Sequence, residues 1–276
     1  MRGMQQVALV TGASSGIGAA TVRALLGAGF TVYAAARRVE RMQDLKDEGA
    51  RVVSMDVTSD ESMTDGVRRI LADAGQIDVL VNNAGYGSYG ALETVPLEEA
   101  RRQFEVNVFG LARLTQLVLP GMRQRRAGTI VNISSIGGKF YEPLGSWYHA
   151  AKFAVEGLSD SLRIELKPFG VRVVLIEPGP VLSEWSTIAR ESLLENSRGS
   201  AYEDNARKVA NVMANFDRPG RAGTPEVVAR TILKAVQAGN PAARYPTGGG
   251  AWPILTARKF LPDRAFDAIV RMMYRH

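Results

Sequence analysis

At 276 residues with a 46% hydrophobic share, the chain is long enough for one well-buried domain with extensions, which excludes a disordered polypeptide. The absence of Cys excludes disulfides and thiolate metal sites, and two histidines, His149 and His276, are too few for a His-rich one, so no metal is expected. The net charge of +6 comes from scattered arginines with no basic stripe interleaved with aromatics, so it reads as solvated surface and not as a nucleic-acid footprint.

The start, MRGMQQVALVTG, runs straight into a strand pattern, with no apolar signal core and no small-residue cleavage site. No stretch approaches the roughly 20 uninterrupted apolar residues that span a bilayer. A soluble, cytoplasmic protein is the expectation. Short apolar runs then alternate with segments of helical periodicity, the pattern of βαβ units building a parallel sheet. Strands are predicted at residues 7–11, 31–36, 51–55, 79–82, 129–134, 171–177 and, weakly, 243–245; helices are predicted near 16–28, 39–48, 60–74, 97–124, 147–167 and 225–238. With no repeat or linker, the whole of 1–276 reads as a single domain with its core at about 5–239.

Directly after the first strand stands Thr11-Gly12-Ala13-Ser14-Ser15-Gly16-Ile17-Gly18, opening into an Ala-rich helical pattern. Glycines permit a tight turn and close approach of a pyrophosphate, and the helix N-terminus offers unpaired N–H groups. The second strand ends Ala36-Arg37-Arg38, without the Asp or Glu that often binds the adenosine ribose 2′-hydroxyl. Two guanidinium groups there suit a 2′-phosphate, so NADP(H) is favoured over NAD(H).

Tyr148-His149-Ala150-Ala151-Lys152 places a phenol and an ammonium one helical turn apart. A nearby cation favours phenolate, and in the reducing direction the same hydroxyl protonates a nascent alkoxide. The fifth strand delivers Ser134 and Ser135 at its carboxyl end, where open parallel sheets bind ligands, and a serine hydroxyl there can hydrogen-bond a substrate oxygen. Asn82-Asn83-Ala84-Gly85 ends the fourth strand, while Asn107 inside a helical pattern needs a partner, such as an ordered water that steadies Lys152.

Together these motifs resemble the short-chain dehydrogenase/reductase family over residues 5–239, and the hydroxysteroid and retinol dehydrogenases within it. The resemblance implies a Rossmann-type, doubly wound parallel α/β sheet of about seven strands. It implies oxidoreduction at CH–OH groups by a tetrad of Asn107, Ser135, Tyr148 and Lys152, with Ser135 chosen over Ser134 by its distance from Tyr148. It also implies cofactor contacts from Gly12, Ser14, Ser15, Gly16, Ile17, Gly18, Arg37, Arg38, Asp56, Val57, Asn82, Ala84, Gly85, Tyr148 and Lys152. Pro178, Gly179, Val181 and Ser183 would hold the nicotinamide carboxamide; Ser183 stands where the family usually has Thr, and Pro180 is an extra proline.

Two segments interrupt the alternation. Residues 183–222 carry Trp185, Ile188, Leu193, Leu194, Tyr202, Val212 and Phe216 among polar residues, suiting a cover over a pocket. The extension at about 247–276 carries Trp252, an expected N-cap at Asp263, and Phe266, Ile269, Val270 and Met273 at helical spacing. Its apolar face is expected to dock on its own domain or a second subunit; the basic flank of Arg258, Lys259, Arg264, Arg271 and Arg275 leaves peripheral membrane contact as a lesser reading. Tyr86, Tyr89, Phe140, Tyr141 and Trp147 are further pocket candidates, pointing to a medium or large apolar alcohol or carbonyl. A small hydroxy acid dehydrogenase and a nicotinamide-binding sensor are the alternatives. The long helices at 97–124 and 147–167 resemble the family's interface pair, so a homodimer or homotetramer is expected.

Overall fold

The computed structural model describes residues 5–218 and 220–274. The amino-terminal Met1–Met4 of the expected leaderless start, and Arg275 and His276 of the expected basic flank and histidine pair, lie outside the described residues. Seven strands, β1 (Val7–Thr11), β2 (Thr31–Ala36), β3 (Arg51–Ser54), β4 (Val79–Asn82), β5 (Gly128–Ile133), β6 (Val171–Pro178) and β7 (Arg244–Thr247), form one parallel sheet in the order β3-β2-β1-β4-β5-β6-β7.

The strands read as continuous apolar runs because both faces are covered. In β1, Ala8 and Val10 pack toward α1 (Gly16–Gly27) with its Val22 and Leu25, while Val7 and Leu9 share the opposite core with Met63, Val67 and Ile70. Those three lie on α3 (Asp60–Ala74), which follows the short α2 (Gln43–Asp47). The predicted helix at 39–48 is thus split, its first turn (Val39–Met42) being a tighter 3₁₀ turn.

The predicted helix at 97–124 also divides. α4 (Leu97–Phe104) passes through a π-helical turn at Glu105–Phe109 into α5 (Gly110–Arg125). Such bulges concentrate at functional sites, and this one is centred on Asn107. The long α6 (Ser146–Leu166) then crosses beneath β5 and β6.

Residues 183–222 fold into α7 (Glu184–Ser197) and α8 (Glu203–Phe216), followed by α9 (Pro225–Gln237), which packs beside α1. The extension forms two helices, α10 (Ala251–Phe260) and α11 (Asp263–Met273), of which the sequence pattern indicated only the second. The cap of α11 is Pro262, one residue earlier than expected; the Asp263 carboxylate instead accepts from Arg258 at 2.8 Å and sits in the first turn, where negative charge suits the helix dipole. Phe266 and Val270 are buried in one apolar cluster with Leu193, Val209, Met213 and Phe140, and Phe266 packs on the rings of Phe140 and Tyr141, so α11 docks on its own chain. Among the described residues no helix is long and apolar enough to cross a membrane.

Candidate active site

A cavity of about 910 Å³ opens at the carboxyl ends of the strands, where the order reverses between β1 and β4. Its floor is the turn from β1 to α1. Gly12 has φ of +64°, and a side chain there would bring Cβ within 2.9 Å of Ala84 Cα, so only glycine lets the two loops meet. Thr11 Oγ1 accepts from the backbone N–H of Asn83 (3.1 Å) and Ala84 (3.0 Å), and Asn83 Nδ2 returns a bond to Thr11 O at 2.9 Å. Ser15 caps α1 without a side-chain bond, and the first turn holds no acid, so the terminal amides face the cavity beside Ser14, Ser15, Gly16 and Ile17 with nothing to neutralise their dipole. That arrangement fits the diphosphate of a dinucleotide.

Two expected cofactor contacts lie elsewhere. Gly18 is off the cavity lining; a Cβ there would sit 2.2 Å from Gly12 O, so this glycine serves the packing of α1 against the turn. Asn82 is buried behind the cavity, donating to Thr115 Oγ1 at 3.0 Å and Asn132 Oδ1 at 2.9 Å, which ties β4 to β5 and α5. The lining residue is the next one, Asn83.

At the end of β2, Arg37 and Arg38 line the cavity with exposed guanidinium groups. Arg38 lies 3.8 Å from the Glu184 carboxylate, which also pairs with Arg41, so the first residue of α7 bridges to the arginine end of the cleft. Asp56 and Val57 line the same region, with Asp56 Oδ1 accepting from Thr58 N (2.9 Å) and Thr58 Oγ1 (2.8 Å). Opposite, Ala84, Gly85, Pro178, Gly179, Val181 and Ser183 complete the wall.

The structure brings Ser135, Tyr148 and Lys152 together at the centre. Ser135 caps a short 3₁₀ turn, its Oγ accepting from Gly137 N at 3.0 Å and lying 3.5 Å from Pro178 O. Burial raises the Tyr148 phenol well above its ordinary value; a hydrogen bond with Ser135 lowers it in part, and the charge of Glu142 adds to the rise. Lys152 donates to Ile133 O at 2.9 Å, and burial brings its ammonium down to about 8 against a smaller upward pull from Glu156. Ser134 also lines the cavity, its buried hydroxyl without a protein partner among the described residues.

Asn107 does not line the cavity. Its side chain bonds Tyr86, accepting from the backbone N at 3.1 Å and donating to the backbone O at 2.8 Å, so it anchors the loop after β4. A Cβ on Gly85 would meet Asn107 Oδ1 at 2.8 Å, which explains that glycine.

Beyond Tyr148 the cavity becomes aromatic. The rings of Tyr89 and Trp185 lie 5.4 and 5.1 Å from that of Tyr148, and Phe140, Ile188 and Phe216 line the same chamber. Tyr86 lines it too, its hydroxyl on Glu99 at 3.0 Å. Two expected wall residues are not there: Trp147 packs on Phe104, and Tyr141 packs on Phe266 with its hydroxyl on Asp267 at 2.7 Å. From the cover, Leu193 and Val212 are buried in its own core, Leu194 is exposed, and Tyr202 bonds Glu93 at 2.8 Å. Sequence reasoning missed Met213, His149, Glu142 and Tyr274, which line the chamber. For Met213 the helical spacing from Val209 and Phe216 was a usable signal; for Glu142 and Tyr274 none existed.

Residues 6–193 match the family described as short chain dehydrogenase. Over 270 residues, covering 98% of both chains, the protein is 35% identical to a 3-ketodihydrosphingosine reductase of Bacteroides thetaiotaomicron. A short-chain dehydrogenase of Streptomyces avermitilis superposes with a TM-score of 0.81 at 35% identity, covering 100% of this chain and 98% of the other. A variant of actinorhodin polyketide ketoreductase solved with NADPH gives 0.76 at 32% identity, covering 90% and 97%. A full-length match in sequence and in fold, over a cleft built at the switch point of the sheet, leads to one assignment: the chain belongs to the short-chain dehydrogenase/reductase family and is an oxidoreductase.

Proposed function

We propose that the protein is an NADP(H)-dependent oxidoreductase interconverting ketones and secondary alcohols, with Tyr148 as the proton-transfer residue. The observation that carries this reading is the position of Tyr148, which lines the cavity with Ser135 and Lys152 and lies 5.4 and 5.1 Å from the rings of Tyr89 and Trp185, between the anion-binding turn and the aromatic chamber. A bound nicotinamide supplies or accepts the hydride. Held protonated by burial, the Tyr148 hydroxyl donates to a carbonyl oxygen as negative charge develops there. The Ser135 hydroxyl, close to no donor-demanding partner but Pro178 O, turns to the same oxygen. Lys152, pinned on Ile133 O one turn along α6, holds a positive charge that favours the phenolate when the alcohol is to be deprotonated.

Arg37 and Arg38, with no acid at the end of β2, support NADP(H), as does the NADPH found in the ketoreductase relative. The apolar walls of Trp185, Ile188 and Phe216 suit a medium or large substrate. We also assign the exposed Phe109, Phe153 and Ile164, on the π turn and the adjacent α6, to a contact between copies of the chain; a sedimentation mass of a single chain at micromolar concentration would remove that assignment.

Tyr148→Phe tests the central claim. Fluorescence titration should show NADPH binding within about twofold of the wild type, while turnover falls by about 10²–10⁴-fold, the usual contribution of a positioned acid or base. Turnover close to wild type would remove Tyr148 from the reaction.

A further inference from the structure

The chamber beyond Tyr148 contains a carboxylate that its surroundings solvate but do not neutralise. Glu142 stands in the loop between the Ser135 turn and α6, its side chain only 13% exposed, and it lines the cavity. Its Oε1 accepts from the Tyr89 hydroxyl at 2.8 Å and its Oε2 from the Tyr274 hydroxyl. Both phenols are buried, and burial pushes each well above its ordinary range, so they donate hydrogen bonds without carrying charge.

The one basic group within ion-pair reach among the described residues is His149, whose Nε2 lies 3.9 Å from Oε1. Its hydrogen bonds fix it as neutral. Nε2 accepts from the Glu142 backbone N–H at 3.1 Å, so that nitrogen presents a lone pair, while Nδ1, 2.8 Å from Gly137 O, must carry the proton. No Lys or Arg among the described residues lies within 4.0 Å of the carboxylate. A buried charge normally finds an opposite charge, and this one faces a ligand chamber. The loop is also built with strain: Leu144, two residues on, has φ of +63° and is clamped by Gly90 N donating to its carbonyl at 2.7 Å.

We propose that Glu142 receives a protonated amine on the substrate, so that the protein acts on amino ketones or amino alcohols whose nitrogen lies a few bonds from the reacting carbon. The spacing follows from Tyr89, whose hydroxyl touches the carboxylate while its ring stacks 5.4 Å from the Tyr148 ring. Amine and carbonyl are therefore separated by about the length of one phenol. Each carboxylate oxygen has a lone pair left after its tyrosine bond, which an ammonium with three donors can use. The walls of Trp185, Ile188, Met213 and Phe216 carry no charge and take an alkyl chain, while a substrate with an anionic group near the carbonyl is repelled. The inference rests on Tyr148 marking the reacting carbon.

The test compares 1-amino-3-decanol with 3-decanol at pH 7, on wild type, Glu142→Gln and Glu142→Asp, by NADP⁺-linked turnover and by quenching of tryptophan fluorescence on binding. Wild type should prefer the amino alcohol by about 100-fold in kcat/KM, the worth of a charge-assisted pair. Glu142→Gln should lose about that factor in the ratio of kcat/KM for the amino alcohol to that for 3-decanol, and Glu142→Asp should recover part of the preference. Equal use of both alcohols by the wild type, or equal loss on both in Glu142→Gln, overturns amine recognition. Selective, Glu142-dependent binding of the amino alcohol without turnover upholds amine recognition and counts instead against the proposed reaction.

Discussion

Glu177 offers a sharp test of how charge is arranged behind the site. It lies on β6 with a side chain 2% exposed, 3.4 Å from Arg244 Nε but without a hydrogen bond on its Oε1. Arg244 is already committed to Glu156 at 3.0 Å and Asp160 at 2.6 Å, and Lys139 pairs with Glu156 at 3.0 Å. Burial first, then repulsion from Glu156, raises the Glu177 carboxyl from 4.5 to about 7, with Arg244 and Lys139 opposing and Asp160 adding. At about 1.36 kcal/mol per pH unit, ionising Glu177 in the native state costs roughly 3 kcal/mol.

The sign follows from proton counting. Between pH 4.5 and about 7 the native state keeps a proton that the unfolded chain has released, so this contribution to stability falls as pH rises and is gone above about 7. Glu177→Gln removes the charge while leaving Arg244 two carboxylate partners. Urea unfolding should find the variant about 1–3 kcal/mol more stable than wild type at pH 8, equivalent to a Tm about 3–10 °C higher, with the gap closing by pH 4.5. A variant less stable than wild type at pH 8, or a difference that does not change with pH, would refute the account.

Two further outcomes follow from the cleft. Arg37→Ala combined with Arg38→Ala should weaken NADPH by about 10- to 100-fold and NADH by less than about threefold, read by fluorescence titration; equal losses would sink the 2′-phosphate reading. Gly18→Ala places a methyl 2.2 Å from Gly12 O and 2.7 Å from Asn83 Nδ2, so α1 must shift off the turn, costing about 1–3 kcal/mol in denaturant unfolding and weakening both cofactors alike. A fully stable Gly18→Ala protein with normal binding would show that the close packing is not needed.

Hydrophobic patterning carried the sheet well, because strands covered on both faces leave unbroken apolar runs such as residues 7–10, and the glycine turn declares itself by its place after the first of them. What the pattern could not reach was direction. Asn82 and Asn83 are adjacent and identical in type, yet a pleated strand points one into the β4–β5 core and leaves the other at the cavity. Trp147 neighbours Tyr148 on α6 and so faces away from it, toward Phe104. The tie of Asn107 to Tyr86 depends on a π turn that local propensity does not encode. Glu142 and Tyr274 meet across 132 positions, a contact that no local window contains.

The strand order bears on how the chain comes to be folded. β2 and β3 add successively to one edge of β1; β4 then takes the other edge, and β5, β6 and β7 add outward from it. No strand has to be threaded between two already paired, so the sheet can grow in the order of synthesis without undoing any ladder. The anion-binding turn and its arginines belong to the part that β4 completes, whereas the chamber walls are complete only with α7, α8 and Tyr274. An intermediate arrested midway would hold a formed nucleotide cradle beside an open apolar wall, and so would be both ligand-competent and prone to aggregate.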